Sequence, residues 1–191
     1  MKPAWAFAAI AWVTILAAGG CGRPFGRHAG PISVLVEGGG RFPAALAGRW
    51  RSDQHGWEFV FEPDGRISSA VISLGRVSVT PGRTTTVPTQ SGGQAVFTPG
   101  PWTVHYDPGA RMLTVKIAME HVRVPMAANV LEGSSTDVFA GPVLASGDTW
   151  QVEWTTFTHY TARADGSTPV DLSTDSTYGE ARPLVFTKTN Q

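Results

Sequence analysis

Trp57-Glu58-Phe59-Val60-Phe61-Glu62-Pro63-Asp64-Gly65-Arg66 alternates and then turns. In an extended chain Trp57, Phe59 and Phe61 fall on one face and Glu58, Val60 and Glu62 on the other, the period of two expected of a half-buried strand. Pro63 presets φ for the first corner of a tight turn, and Gly65 tolerates a positive φ. The stretch therefore predicts a hairpin whose return strand runs from Arg66 to Leu74.

The same grammar recurs downstream. Trp102-Thr103-Val104-His105-Tyr106 leads through Asp107-Pro108-Gly109 into a long return strand from Arg111 to Val124, where Leu113, Val115, Ile117 and Met119 share a face. Beyond Glu120 the apolar parity moves to Val122 and Val124, which predicts a β-bulge near Glu120-His121. Thr149 to Thr161 alternates Trp150, Val152 and Trp154, and Pro183 to Lys188 closes the chain. Gly48 to Ser52 and Gln94 to Thr98 add shorter strands, and no helical repeat follows Leu46. These segments predict an all-β fold, an antiparallel meander of about eight strands. An up-and-down barrel is the first architecture to expect and a two-sheet β-sandwich the second. Three long connections interrupt it: Arg76 to Gly93, Pro125 to Gly147 and Ala162 to Arg182. The middle one carries Val130, Leu131, Phe139 and Leu144, apolar enough to pack as a lid.

Composition narrows the function classes. Of 191 residues 42% are hydrophobic and 16% charged, which supports a core and excludes a largely disordered chain. Fifteen basic residues balance 15 acidic ones, so no global field holds a polyanion and nucleic acid is not an expected partner. A single cysteine, Cys21, excludes an intramolecular disulfide and a multi-thiolate metal site.

The N-terminus reads as an export signal, with Lys2 ahead of an apolar run from Ala4 to Ala18 that is shorter than the roughly 20 residues of a membrane span. It ends in Leu16-Ala17-Ala18-Gly19-Gly20-Cys21. This resembles the lipobox of bacterial lipoproteins, in which processing occurs just before a lipidated cysteine, although Ala18 stands where that family prefers Leu. An ordinary signal-peptidase site after Gly20, with Cys21 a spare thiol, and an uncleaved anchor are the alternatives. The resemblance implies a signal peptide over 1–20 and a lipidated Cys21 heading a flexible tether to residue 41. A folded domain follows over 42–191. Gly38-Gly39-Gly40 would serve as a hinge, and Ile32 to Val36 is either part of the tether or an early strand. Acyl chains contribute about 0.8 kcal/mol per buried CH₂, enough for lasting attachment. Removing Lys2 with the signal leaves one acidic residue in excess, so attachment comes from lipid and not from a basic patch. Gly22 in place of Asp after the cysteine points to the periplasmic face of the outer membrane, if the cell has two membranes.

Phe42-Pro43-Ala44-Ala45-Leu46-Ala47-Gly48-Arg49-Trp50 resembles the opening of small bacterial lipocalin-like proteins, a short turn followed by Gly-x-Trp at the start of the first strand. The resemblance implies structural roles for Gly48, Trp50 and Arg182. Trp50 would plug the closed end of a barrel, with Arg182 or Lys188 covering its ring by a cation–π contact. It also implies an apolar pocket. The chain lacks the disulfide and the terminal helix of transport lipocalins, and Thr158-His159-Tyr160 is a loose echo of their Thr-Asp-Tyr motif.

Catalytic signatures are missing: no Gly-x-Ser-x-Gly elbow, no His-Glu-x-x-His and no Gly-rich phosphate loop. No catalytic residue and no cofactor is assigned. His55, His105, His121 and His159 are scattered, with His105 and His159 opposite the apolar faces of their strands, so no metal site is expected. Asp171 to Thr177, near Glu180, reads as a solvated loop without the glycine of an EF-hand. The aromatic residues say more. Trp57, Phe59, Trp102, Tyr106, Trp150 and Trp154 are candidate walls of a ligand cavity, and core packing is the competing reading. The expected function is a non-enzymatic envelope lipoprotein that binds a hydrophobic small molecule or an envelope component. The alternatives are an interaction or assembly protein with a filled core and an envelope protein as partner, or an envelope hydrolase without a recognisable motif.

Overall fold

The computed structural model describes residues 31–164, 167–173 and 181–189. Cys21, the signal segment and residues 174–180 of the acidic stretch lie outside the described residues. The all-β class holds: helix among the described residues is confined to three short 3-10 turns.

The expected hairpin forms as β3 (Glu58–Phe61) and β4 (Ile67–Ile72). Its turn is closed by the Gly65 N–H donating to the Glu62 carbonyl at 2.9 Å, while the Asp64 carboxylate accepts from the Arg66 N–H and Nε. Gly65 has φ of 85°, and a Cβ there would lie 2.7 Å from the Phe42 ring, so the turn demands glycine twice over. The other elements are β1 (Ile32–Val36), β2 (Gly48–Ser52), β5 (Val77–Val79), β6 (Thr85–Pro88), β7 (Gln94–Pro99) and β8 (Trp102–Asp107). They continue with β9 (Met112–Met126), β10 (Asn129–Pro142), β11 (Thr149–Ala164), β12 (Val170–Asp171) and β13 (Arg182–Thr189).

All thirteen belong to one sheet, in the order β1-β8-β9-β10-β11-β13-β2-β3-β4-β5, with β6 on β7, β7 on β9 and β12 on β11. The outer edge of β9 is shared end to end, by β8 opposite Met112–Lys116 and by β7 opposite Met119–Arg123. The register against both β7 and β10 shifts at Glu120, where the change of apolar parity placed a bulge.

Several expectations change. Thirteen strands form among the described residues rather than about eight, because the three long connections contain four and Ile32–Val36, left open between tether and strand, adds β1. Pro125 to Gly147 is no lid: most of it is β10, which pairs with β9 and β11 along nearly its whole length. The order is not a simple meander, since β13 inserts between β11 and β2 and β1 runs parallel to β8, which makes the sheet mixed. It is one sheet and not a two-sheet sandwich, yet it does not close into a barrel: no ladder joins β1 to β4 or β5 among the described residues. Two prolines and a short strand account for the gap. β5 has three residues and turns back at Pro81-Gly82, and a Cβ on Gly82 would sit 2.8 Å from Pro31, so ring and turn abut where a ladder would begin. A groove of about 390 Å³ follows this seam.

One face of the sheet encloses the core. Trp50, Phe59, Trp150, Phe139 and Phe186 are fully buried, with ring centroids 5.2 Å apart for Phe59–Phe186 and 5.0 Å for Trp150–Phe186. Buried indoles need acceptors, and most have them: Trp50 Nε1 donates to the Leu46 carbonyl, Trp102 Nε1 to Ala118 and Trp150 Nε1 to Gly141.

Candidate ligand-binding cleft

The inward face of β10 differs from every other core strand. Its buried positions run Ser135, Asp137, Phe139 and Gly141, two of them polar and one without a side chain. Opposite Asp137 stand Ile117 on β9 and Thr156 on β11. The side chains of Ser135 and Asp137 leave space over this inward face, and a cleft of about 480 Å³ opens there, within the range that holds a small ligand.

Five parts of the fold build its walls. β11 contributes Trp154, Thr156 and Tyr160, and β9 contributes Met119 and Val122 across the bulge. Ile72 and Leu74 come from the end of β4 and the turn after it. The connection between β2 and β3 contributes Trp57 and, at the mouth, the exposed His55. That connection is held from inside by the Ser52 hydroxyl, which donates to the carbonyls of Gln54 and Trp57, and from outside by Asp53, which accepts the Val185 N–H. His55 and Gly56 both have positive φ, at 59° and 69°, a tight bend that sets the imidazole 5.0 Å from the Trp154 ring.

Asp137 is the chemical centre of the cleft. It is 6% exposed, and its carboxylate accepts Trp154 Nε1–H at 2.9 Å together with a hydrogen bond from the Thr156 side chain. Burial opposes the charged form more strongly than these two bonds favour it, and the carboxyl is pushed up to about 6. Tyr160 responds as a neighbour: burial raises its phenol first, a hydrogen bond with Ser135 lowers it, and the charge of Asp137 raises it. Trp57 Nε1 is buried without a hydrogen-bond partner among the described residues.

Of the six aromatic residues expected to line a cavity, the cleft brings together Trp57 and Trp154. Phe59 and Trp150 are core residues, Trp102 is buried against β9, and Tyr106 packs at the opposite end against Phe42, 6.1 Å away. Trp50 is wholly buried, and Gly48 before it has φ of 121° with Lys188 pressed against it. Lys188 Nζ donates to the Ala45 carbonyl, and Arg182 lies 5.9 Å over Trp154, not Trp50, because β13 places it opposite Trp154 in the register. His55, Ser135, Asp137, Thr156 and Tyr160 were not picked out as site residues by the sequence. Their only signal is shared parity, in Ser135-x-Asp137 and in Trp154-x-Thr156-x-Thr158-x-Tyr160. The other histidines stay apart: His105 lies 2.9 Å from Glu37, His121 faces Glu132, and His159 is exposed. No group of three metal-ligating side chains gathers among the described residues. No protein-family model matches the chain, and neither the curated proteins nor the solved structures searched contain a match to it.

Proposed function

We propose that the protein is a non-enzymatic, lipid-anchored component of the cell envelope that binds an amphipathic small molecule in the Asp137 cleft. The observation that carries this is the lining of the cleft, apolar and aromatic walls over a few converging polar groups, one of them an acid with a displaced pKa. The anchor rests on Lys2, the short apolar run and the small residues before Cys21. The lipocalin-like affinity draws support from the Ala44–Leu46 turn followed by Gly48 and the buried Trp50, an arrangement confined to β2 and the turn before it.

The test is saturable binding of the neutral fluorophore N-phenyl-1-naphthylamine to the full-length protein in mild detergent, followed by quenching of tryptophan emission. Binding that Trp154→Phe weakens supports the cleft. The absence of any response would leave an interaction protein with a filled core, a reading favoured by the close packing of Phe59, Trp102 and Trp150.

A further inference from the structure

We propose that the ligand of this cleft is an organic cation, an amine whose protonated nitrogen pairs with Asp137 while its apolar body lies between Trp57, Trp154 and Tyr160. The inference rests on the reading of the cleft as a ligand site and names the class of molecule it would take.

Charge placement is the first ground. On the outer face, the half-buried Glu58 is met by Arg51 at 3.0 Å, Arg49 at 3.3 Å and Arg76 at 3.8 Å. Asp137 is more deeply buried and has no such partner among the described residues: its bonds come from the neutral groups of Trp154 and Thr156. Among the described residues no lysine or arginine lines the cleft. β11 adds Tyr160 and the β2–β3 connection adds His55, while β4 and β9 place no ionisable side chain in the lining. Arg182 of β13 stands over the Trp154 ring. A buried carboxylate without a cation destabilises the empty protein, and an amine supplies what is missing.

The walls are the second ground. Aromatic faces attract cations through the ring quadrupole, and Trp57, Trp154 and Tyr160 stand around the acid. A neutral hydrophobe makes no use of a carboxylate, for an Asn would accept the Trp154 N–H equally well. A fatty acid or other anion meets like charge.

The experiment is calorimetric titration of the full-length protein with three ligands of matched shape: 2-phenylethylamine, 2-phenylethanol and 3-phenylpropanoate. The amine should bind at least tenfold more tightly than the alcohol at pH 7.5, and the carboxylate least. Because the amine stays protonated while Asp137 takes up its proton near pH 6, its affinity should fall roughly tenfold by pH 5, with the alcohol unchanged. Asp137→Asn should abolish both the preference and the pH dependence, and His121→Gln, whose imidazole faces Glu132 outside the cleft, should preserve them. Should the asparagine variant fold poorly, the wild-type pH profile and the alcohol control still decide. Equal binding of amine and alcohol, or a pH profile that Asp137→Asn retains, overturns the cation proposal while leaving a ligand cleft in place. Binding of the neutral fluorophore with none of these three ligands overturns the cation proposal alone, and failure of all four overturns both.

Discussion

Asp137 links stability to pH in a direction opposite to most carboxylates. Its native form holds the proton more tightly than the unfolded chain does, since burial lifts it from 3.8 to about 6. The associated stability is fully present below about pH 4 and is lost as pH rises through 6, by about 3 kcal/mol in all. Denaturant melts of wild type and Asp137→Asn between pH 4 and pH 8 should show that slope in the first and not in the second. A wild-type midpoint that rises over this interval would oppose the assignment. The tryptophans allow a matched comparison. Trp57→Phe and Trp150→Phe remove the same atoms from buried sites, but Trp57 Nε1 has no partner among the described residues whereas Trp150 Nε1 serves the Gly141 carbonyl. The Trp150 variant should be less stable by about 1–2 kcal/mol, because its loss strands a buried acceptor. Equal losses would mean that the Trp57 N–H finds an acceptor in solution.

At the level of elements, the hairpins of β3–β4 and β8–β9 were legible because their inward faces are apolar and their turns carry Pro, Asp and Gly. β10 was not, for a reason tied to the site: Ser135, Asp137 and Gly141 occupy inward positions, so the apolar period on which strand recognition relies is missing where the cleft opens. β5 and β6 were hidden by brevity and by Thr and Pro. The glycines of β10 have a packing role that parity does not reveal. A Cβ on Gly141 would fall 1.8 Å from the Gln151 carbonyl oxygen, and one on Gly133 would fall 1.9 Å from that of His159. Gly141→Ala should therefore force β10 from β11 and destabilise by about 3 kcal/mol or more, measurable by thermal or urea melts. A loss under about 1 kcal/mol would show that the two strands can separate cheaply.

For the molecule as a whole, local patterning carried the all-β class but not the order of strands. The insertion of β13 between β11 and β2, and the parallel contact of β1 with β8, join segments far apart in the chain and depend on edges that no local pattern encodes. Closure failed for a related reason, since it requires matched edges and β5 is too short to offer one beside Pro31. The proposed anchor is tested on the full chain: Cys21→Ser should move the protein from the membrane fraction to the soluble fraction, and retention of the variant would contradict lipidation at that residue. The central claim, that the open sheet carries a ligand cleft over Asp137, is tested most directly by filling it. Leu74 lines the cleft from the turn after β4, and Leu74→Trp would occupy the space while leaving residue 137 unchanged. Titration of both proteins with N-phenyl-1-naphthylamine should give saturable binding to wild type and at least tenfold weaker binding to the variant, with melting temperatures alike. Equal binding to both, or none to wild type, would contradict the claim.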